Sequence, residues 1–143
     1  MDLYITNSQL QQMITHVVTV LPNEGCGFLA GSSGRVLQVY PVTNMEHSPS
    51  RYRMDPEEQI HYMTAIDQVG WQMLGIFHSH PSGPPSPSEI DREQAYYPQA
   101  VYVILSLSGT IGWQARGFRL KKKQWVEITL QIEALRSQTI TPG

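Results

Sequence analysis

The sequence predicts a single α/β domain, residues 1–143, in which a mixed β-sheet of about six strands is flanked by three helices. The chain has 143 residues, of which 41% are hydrophobic and 15% charged. This balance is typical of a globular domain long enough to bury a core. Segments with helical periodicity alternate along the chain with short apolar runs of strand length. Such alternation indicates helices and strands packed in layers.

Three segments are predicted to be helical. Between residues 7 and 21, apolar side chains recur at helical spacing, and Pro22 ends the pattern. A second helix is expected to begin at Asp55-Pro56, because Asp is a good N-cap and Pro suits the first helical position. A third, short helix is predicted over residues 88–96, which open with Ser-Glu-Ile-Asp.

Six stretches are predicted to be strands, because they are short and either apolar or alternating, and residues 101–107 are also rich in β-branched residues. The first contains two glycines, which indicate close backbone packing or a turn. The last two are expected to form a hairpin or meander, with a solvated turn at residues 121–123. The predicted strands are residues 25–30, 35–42, 73–77, 101–107, 110–120 and 124–130.

Composition and charge exclude several classes of protein. The formal net charge is −2, so nothing favours nucleic acid or an anionic membrane as the partner. A single cysteine, Cys26, rules out an internal disulfide and a cysteine-rich zinc site. The first ten residues lack the features of a signal peptide, and no stretch approaches the roughly 18 apolar residues of a membrane span. We therefore expect a cytoplasmic protein.

The most informative motif follows the third predicted strand. His78 and His80 are two positions apart, so on a strand end they face the same side with backbones roughly 7 Å apart. Both imidazoles can then reach one metal ion. Asp91 follows eleven positions after His80, in the first turn of the third helix, and the proline-rich loop 81–87 can fold it back toward the histidines. Two histidines and one carboxylate leave a fourth position for water, which is typical of a catalytic zinc site.

Each of these residues can also be explained without a metal site. A lone histidine is more often packed or solvated than a ligand, and Ser88 with Asp91 could form no more than a helix capping box. Taken together, however, the pattern is expected by chance on the order of once in 10⁵ chains of this length. Capping also does not compete with metal binding, because Ser88 can begin the helix while Asp91 binds the ion.

The motif resembles the JAMM motif of the MPN+ (Mov34/PAD-1) metallopeptidases, which is His-x-His-Pro, six residues, Ser, two residues, Asp. The family also has a glutamate just before a glycine-rich strand, and Glu24 fits it. The resemblance extends from about residue 3 to residue 130 and is closest to the small stand-alone prokaryotic members. It implies an MPN-type, cytidine-deaminase-like fold. The fixed positions are matched by His78, His80, Pro81, Ser88 and Asp91.

The resemblance implies a zinc-dependent peptidase or isopeptidase. Zinc is expected on His78, His80 and Asp91. Glu24 is expected to act as the general acid and base, taking a proton from water and passing it to the leaving amine. The Ser88 hydroxyl is expected to donate to the developing oxyanion.

The resemblance also implies a substrate. MPN+ relatives cut after the Gly-Gly tail of ubiquitin or ubiquitin-like proteins, and the small prokaryotic members are linked with sulfur carriers of that fold. We therefore expect cleavage after the C-terminal Gly-Gly of a small ubiquitin-like sulfur carrier. The tail is predicted to add alongside a glycine-rich strand edge at residues 25–31, beside loop 81–87, because glycine allows close backbone approach.

Three alternatives follow from the same residues. A non-catalytic MPN scaffold is disfavoured because such scaffolds generally lack the metal ligands. The segment His-Ser-His-Pro-Ser-Gly also resembles the RadC family, but the chain has no helix-hairpin-helix segment and no basic surface signal. A zinc deaminase would need a Pro-Cys-x-x-Cys run, which is absent.

Overall fold

A computed structural model describes residues 2–108 and 112–134. Within these ranges the chain forms eight strands and three helices. In chain order they are β1 (Leu3–Thr6), α1 (Asn7–Thr19), β2 (Cys26–Ser32), β3 (Arg35–Val42), α2 (Pro56–Gln68), β4 (Gln72–His80), α3 (Glu89–Glu93), β5 (Val101–Ser108), β6 (Gly112–Lys121), β7 (Gln124–Ile128) and β8 (Leu130–Glu133). The predicted α/β class is confirmed.

The strands form one mixed sheet in the order β7-β6-β5-β4-β2-β3-β1-β8. Strand β4 lies parallel to β5 and antiparallel to β2, while β1 lies parallel to both β3 and β8. Only Thr129 separates β7 from β8, although these strands stand at opposite ends of the strand order. The two ends of the sheet are therefore close in space, which requires the sheet to curl.

Each face of the sheet carries an apolar cluster, because neighbouring strand residues point to opposite sides. On β4, Phe77 belongs to the cluster that contains Met13 of α1. Ile76 belongs to the other cluster, which contains Ile66 of α2. Helices α1 and α2 thus cover opposite faces of the sheet. In the described part of the chain, no helix is long and apolar enough to cross a bilayer.

The helix starts follow local capping chemistry. Thr6 caps α1 in a capping box with Gln9, whose side chain accepts from the Thr6 N–H at 3.0 Å. Asp55 caps α2 by accepting from the Glu57 N–H, and Pro56 occupies the first helical position as predicted.

Several predicted boundaries are wrong. The predicted six strands are eight in the described residues, because β1 was not predicted and the segment 124–130 is broken at Thr129 into parts of β7 and β8. The predicted helix 88–96 is shorter, since α3 ends at Glu93, and the strand predicted at 73–77 continues through His80. Residues 110 and 111 of a predicted strand lie outside the described residues.

The prediction that a substrate tail adds alongside residues 25–31 is also wrong. Strand β2 is internal, because Cys26 is paired with Val42 of β3 on one side and with His78 of β4 on the other. Its backbone groups are therefore already used in the sheet. The glycines serve packing within the protein: a Cβ on Gly27 would lie 2.4 Å from the Phe77 ring.

Candidate metal centre and active site

The candidate site lies at the end of β4. His78 and His80 are the last residues of that strand on one face, and His78 is paired with Cys26 at the start of β2. Glu24, two residues before Cys26, therefore comes to the same end of the sheet. Loop 81–87 returns the chain so that Asp91, on α3, faces the two histidines.

The three predicted ligands converge at close distances. Nε2 of His78 lies 3.2 Å from Nε2 of His80. The carboxylate of Asp91 reaches both rings, with Oδ1 3.1 Å from His78 Nε2 and Oδ2 3.0 Å from His80 Nε2. Two ligand atoms bound about 2.0–2.1 Å from one tetrahedral ion lie roughly 3.3 Å apart. The spacing therefore fits a single small metal ion.

The hydrogen bonding of His80 indicates why this cluster suits a cation. Its Nδ1 lies 2.8 Å from the carbonyl oxygen of Pro84, and because a carbonyl only accepts, Nδ1 carries the hydrogen. The 3.0 Å contact of Nε2 with Asp91 Oδ2 is a hydrogen bond only when the ring carries a second proton, whereas the neutral ring presents its Nε2 lone pair to that oxygen. Two acceptors pointed at each other are satisfied by a cation between them, and the Pro84 carbonyl supplies the outer hydrogen bond that usually orients a metal-binding histidine.

Burial and charge act on the same three residues. Burial works to raise the pKa of Asp91, but hydrogen bonds from His78 and His80 outweigh it and hold that pKa well below its usual range. Burial lowers the pKa of His78. For His80, burial lowers the pKa, but the hydrogen bonds to Asp91 and Pro84 raise it overall. The Asp91 carboxylate is therefore ionised, and a positive charge beside it would stabilise this buried negative charge.

Ser88 and Asp91 form a helix capping box, as the interpretation without a metal predicts. Ser88 is the N-cap of α3, where its Oγ accepts from the Asp91 N–H at 3.1 Å. The Ser88 N–H donates in return to Asp91 Oδ2 at 2.8 Å. The same carboxylate faces both histidines, so capping holds it in place for them. The Ser88 hydroxyl keeps its own hydrogen for donation.

Glu24 is buried beside this cluster, with 3% of its surface exposed. Burial raises its pKa to about 8, a rise that His80 opposes and Asp91 reinforces. Among the described residues, its Oε1 has no hydrogen-bond partner. A buried carboxyl with a raised pKa and an unpaired oxygen next to a metal site is suited to exchanging a proton.

Comparison with known proteins identifies the family. Residues 6–120 match the family described as prokaryotic homologs of the JAB domain. The chain belongs to this family. It is 40% identical over 104 residues to the desampylase of Haloferax volcanii, covering 68% of this chain and 75% of that protein.

Two further relatives match a larger share of this chain. It is 33% identical over 120 residues to the CysO-cysteine peptidase of Mycobacterium tuberculosis, covering 82% of each. It is 33% identical over 129 residues to the probable TtuB-protein conjugate cleaving protease of Thermus thermophilus, covering 90% of this chain and 82% of that protein. The predicted family and the predicted class of activity, a JAB-type peptidase, are confirmed.

Solved structures agree on the fold. The protein DSY2949 from Desulfitobacterium hafniense superposes with a TM-score of 0.84 at 35% sequence identity, covering 94% of each chain. A JAB1/MPN domain protein from Archaeoglobus fulgidus, AF2198, superposes with a TM-score of 0.58 at 18% identity, covering 90% of this chain and 99% of that one. The predicted MPN-type fold is confirmed.

The sequence did not predict the hydrogen-bond partners that position the backbone at Glu24 in this site. The Glu24 N–H donates to the carbonyl oxygen of Ser48 at 2.8 Å, and the next N–H, that of Gly25, donates to Ser79 Oγ at 2.8 Å. Asn44 Nδ2 donates to the Glu24 carbonyl oxygen at 3.0 Å. These partners come from a loop and from β4, so only the folded chain brings them to Glu24.

The Asn44 side chain makes four hydrogen bonds, which use both of its donors and both of its acceptor positions. Besides Glu24, it donates to the Arg51 carbonyl oxygen at 3.1 Å and accepts from the N–H groups of Glu46 and Arg53, both at 2.9 Å. It thereby closes the loop that carries Tyr52. The Tyr52 ring stacks on His78, with ring centroids 4.6 Å apart.

We expect Asn44→Ala to lower the free energy of unfolding by about 2–6 kcal/mol, because it removes four hydrogen bonds of about 0.5–1.5 kcal/mol each. Urea unfolding of the two proteins measures the difference. The matched control is Asn7→Ala, at an exposed position in the first turn of α1. A loss as small as that of the control would show that Asn44 does not organise this loop.

Proposed function

We propose that this chain is a zinc-dependent peptidase or isopeptidase that cleaves after the C-terminal Gly-Gly of a small ubiquitin-like sulfur-carrier protein. The observation that carries the proposal is that His78, His80 and Asp91 each place one possible ligand atom within 4.8 Å of the other two, so that a single ion can bind all three. The named relatives support the substrate class, since they include a CysO-cysteine peptidase and a protease of TtuB-protein conjugates.

The proposed metal is zinc, held by Nε2 of His78, Nε2 of His80 and the carboxylate of Asp91. Two imidazoles and one carboxylate are a usual ligand set of catalytic zinc, and they leave a position open. When bound, zinc lowers the pKa of a coordinated water toward about 7 and polarises a substrate carbonyl.

The chain's own residues supply the proton transfers. Glu24 accepts a proton from the attacking water, whose oxygen forms the new bond to the scissile carbonyl carbon. Glu24 then passes that proton to the nitrogen of the breaking C–N bond, so that a carboxyl-terminal Gly-Gly and a free amine leave. Burial raises the pKa of Glu24 to about 8, and the positive charge of a bound metal would lower it, so the ionised group could accept the proton and the carboxyl could hold it between the two transfers.

Ser88 is proposed to stabilise the carbonyl oxygen as negative charge develops on it. Its hydroxyl accepts from the Asp91 N–H, so its oxygen is fixed next to a metal ligand while its hydrogen can be donated. The capping box on α3 therefore positions both Asp91 and Ser88.

We further propose that residues 1–143 act as one domain in the cytoplasm. The lone Cys26 is buried, and burial raises its pKa to about 12, so the thiol stays protonated and unreactive.

The competing functions are a non-catalytic scaffold and a RadC-like metal protein, neither of which requires cleavage of a tail.

The test compares tails on one carrier. A zinc-loaded enzyme is incubated with ubiquitin-like sulfur carriers extended by a few residues beyond Gly-Gly, Ala-Ala or Val-Val, and products are followed by mass. We expect cleavage directly after Gly-Gly and a loss of about 10-fold or more for each bulkier tail, because glycine lets the tail backbone approach the metal ligands most closely. Equal cutting of all tails, or cutting of unrelated unfolded peptides alone, would contradict the proposal.

A further inference from the structure

The two histidines of the metal centre differ in what fixes their rings. Nδ1 of His80 donates a hydrogen bond to the Pro84 carbonyl oxygen at 2.8 Å. His78 is fully buried, and its Nδ1 has no hydrogen-bond partner in the part of the chain that the structure describes. A histidine that binds a metal ion through one nitrogen usually donates from the other, which orients the ring. The orientation of the His78 ring must therefore depend on a different contact.

The ring of Tyr52 supplies this contact. It lies against a face of the His78 imidazole, with ring centroids 4.6 Å apart and an angle of 24° between the planes. This is a stacked arrangement that aromatic pairs favour. Rotation of the imidazole about its Cβ–Cγ bond would drive its edge into the Tyr52 ring. The stack thus fixes the plane in which Nε2 of His78 faces the other ligands.

Tyr52 is itself held in place by its neighbours in the chain. The Asn44 side chain donates to the carbonyl oxygen of Arg51 at 3.1 Å and accepts from the N–H of Arg53 at 2.9 Å, so it binds the backbone on both sides of Tyr52. The Tyr52 side chain is buried in the apolar cluster that contains Cys26. Its ring therefore has a defined position relative to His78.

The chemistry of the stack also suits a metal-bound histidine. The imidazole of His78 loses electron density when its Nε2 binds a metal ion, and it then carries more positive charge. The face of an aromatic ring is negative and attracts a positive group placed over it. The Tyr52 ring therefore stabilises the metal-bound imidazole more than the free one. An aliphatic side chain of similar size would fill the space without this attraction.

We propose that Tyr52 is a positioning residue for the metal centre, where its ring takes the place of an outer hydrogen bond to His78 and favours metal binding. The inference rests on the proposed function, because it concerns the same metal site. The role belongs to the aromatic face and not to the hydroxyl. Phenylalanine should therefore replace Tyr52 without loss, whereas leucine should not.

The first arm of the test measures the Kd for zinc by competition with a chromogenic chelator. We expect Tyr52→Leu to raise this Kd by about 10- to 100-fold, the usual effect of removing a group that orients a metal ligand. Tyr52→Phe should match the wild type. The matched control is Tyr62→Leu, which removes a half-buried tyrosine that packs on the same apolar cluster and contacts Tyr40. An unchanged Kd in Tyr52→Leu, or an equal rise in Tyr52→Phe or in the control, would overturn the proposal.

The second arm measures the mobility of the His78 ring in the metal-free protein by ¹³C relaxation. In the wild type and in Tyr52→Phe we expect an order parameter of about 0.85, as in rigid parts of a protein, and in Tyr52→Leu a value below about 0.6. Tyr52→Met is the second variant for both arms in case the leucine protein does not fold, because methionine adapts to irregular space. Equal ring order in all variants would contradict the role of Tyr52.

The two arms separate this inference from the proposed function. If the wild type binds no zinc, the proposed function fails, and the ring measurement alone decides the role of Tyr52. Loss of His78 ring order in Tyr52→Leu, with order retained in Tyr52→Phe, would still support it. If the wild type binds zinc and all variants bind it equally well, the proposed metal site stands and the role of Tyr52 is overturned.

Discussion

Replacement of Asp91 by alanine is expected to reduce bound zinc from one ion per chain to almost none and to abolish turnover. The carboxylate lies 3.1 Å from one histidine and 3.0 Å from the other, and it is the charged member of the proposed ligand set. Without it, two neutral imidazoles remain as ligands, and two protein ligands bind zinc more weakly than three. Atomic emission on the purified proteins measures the metal content.

Two further variants separate metal binding from helix capping. Asp91→Asn keeps an oxygen that can accept from the Ser88 N–H, but it removes the charge, so zinc and turnover should still be lost. Asp67→Ala, at an exposed position of α2, should retain both. Stoichiometric zinc in Asp91→Ala would show that Asp91 is not a ligand.

Glu24→Gln is expected to retain zinc and to lose about 10²–10⁴-fold in kcat, the usual contribution of a general acid and base. The amide keeps the size of the carboxyl but cannot accept the proton from water. The backbone contacts of Glu24 to Ser48 and Asn44 do not involve the substituted group, so the fold should be unaffected. Metal content and kcat are measured on the same preparation.

The control for this change is Glu57→Gln, an exposed position in the first turn of α2, which should behave as the wild type. Loss of zinc together with activity in Glu24→Gln would assign Glu24 to metal binding. Undiminished kcat would remove it from the mechanism.

The predicted cluster could be found from the sequence because its geometry is local. A strand fixes that His78 and His80 face one side, and a capping box fixes Asp91 near the start of α3. Only the fold of loop 81–87, which brings Asp91 to the two histidines, had to be assumed. Glu24 has no such local signal, and it was identified through the family resemblance alone.

The contacts around the cluster depend on the tertiary fold and were not predicted. Asn44 and Tyr52 reach the site through a loop held by Asn44 itself, and no short motif marks either one. Gln94 lies just past α3, where the sequence predicted a helix that continues to residue 96.

The error about β2 has a physical reason. Glycine indicates close approach of another group but does not say which group approaches. At Gly27 the space is filled by Phe77 and by the Tyr40 carbonyl oxygen, so no substrate is required. The short β1 and β8, with four residues each, pair with each other across most of the chain length, which local patterns do not detect.

The most direct test of the account is a zinc titration of the metal-free protein with a carrier extended beyond Gly-Gly as substrate. We expect no cleavage without metal, a rate that rises in proportion to added zinc, and a plateau at one ion per chain, with every product ending in Gly-Gly. Full activity without metal, or no cleavage of the carrier at any zinc level, would contradict it.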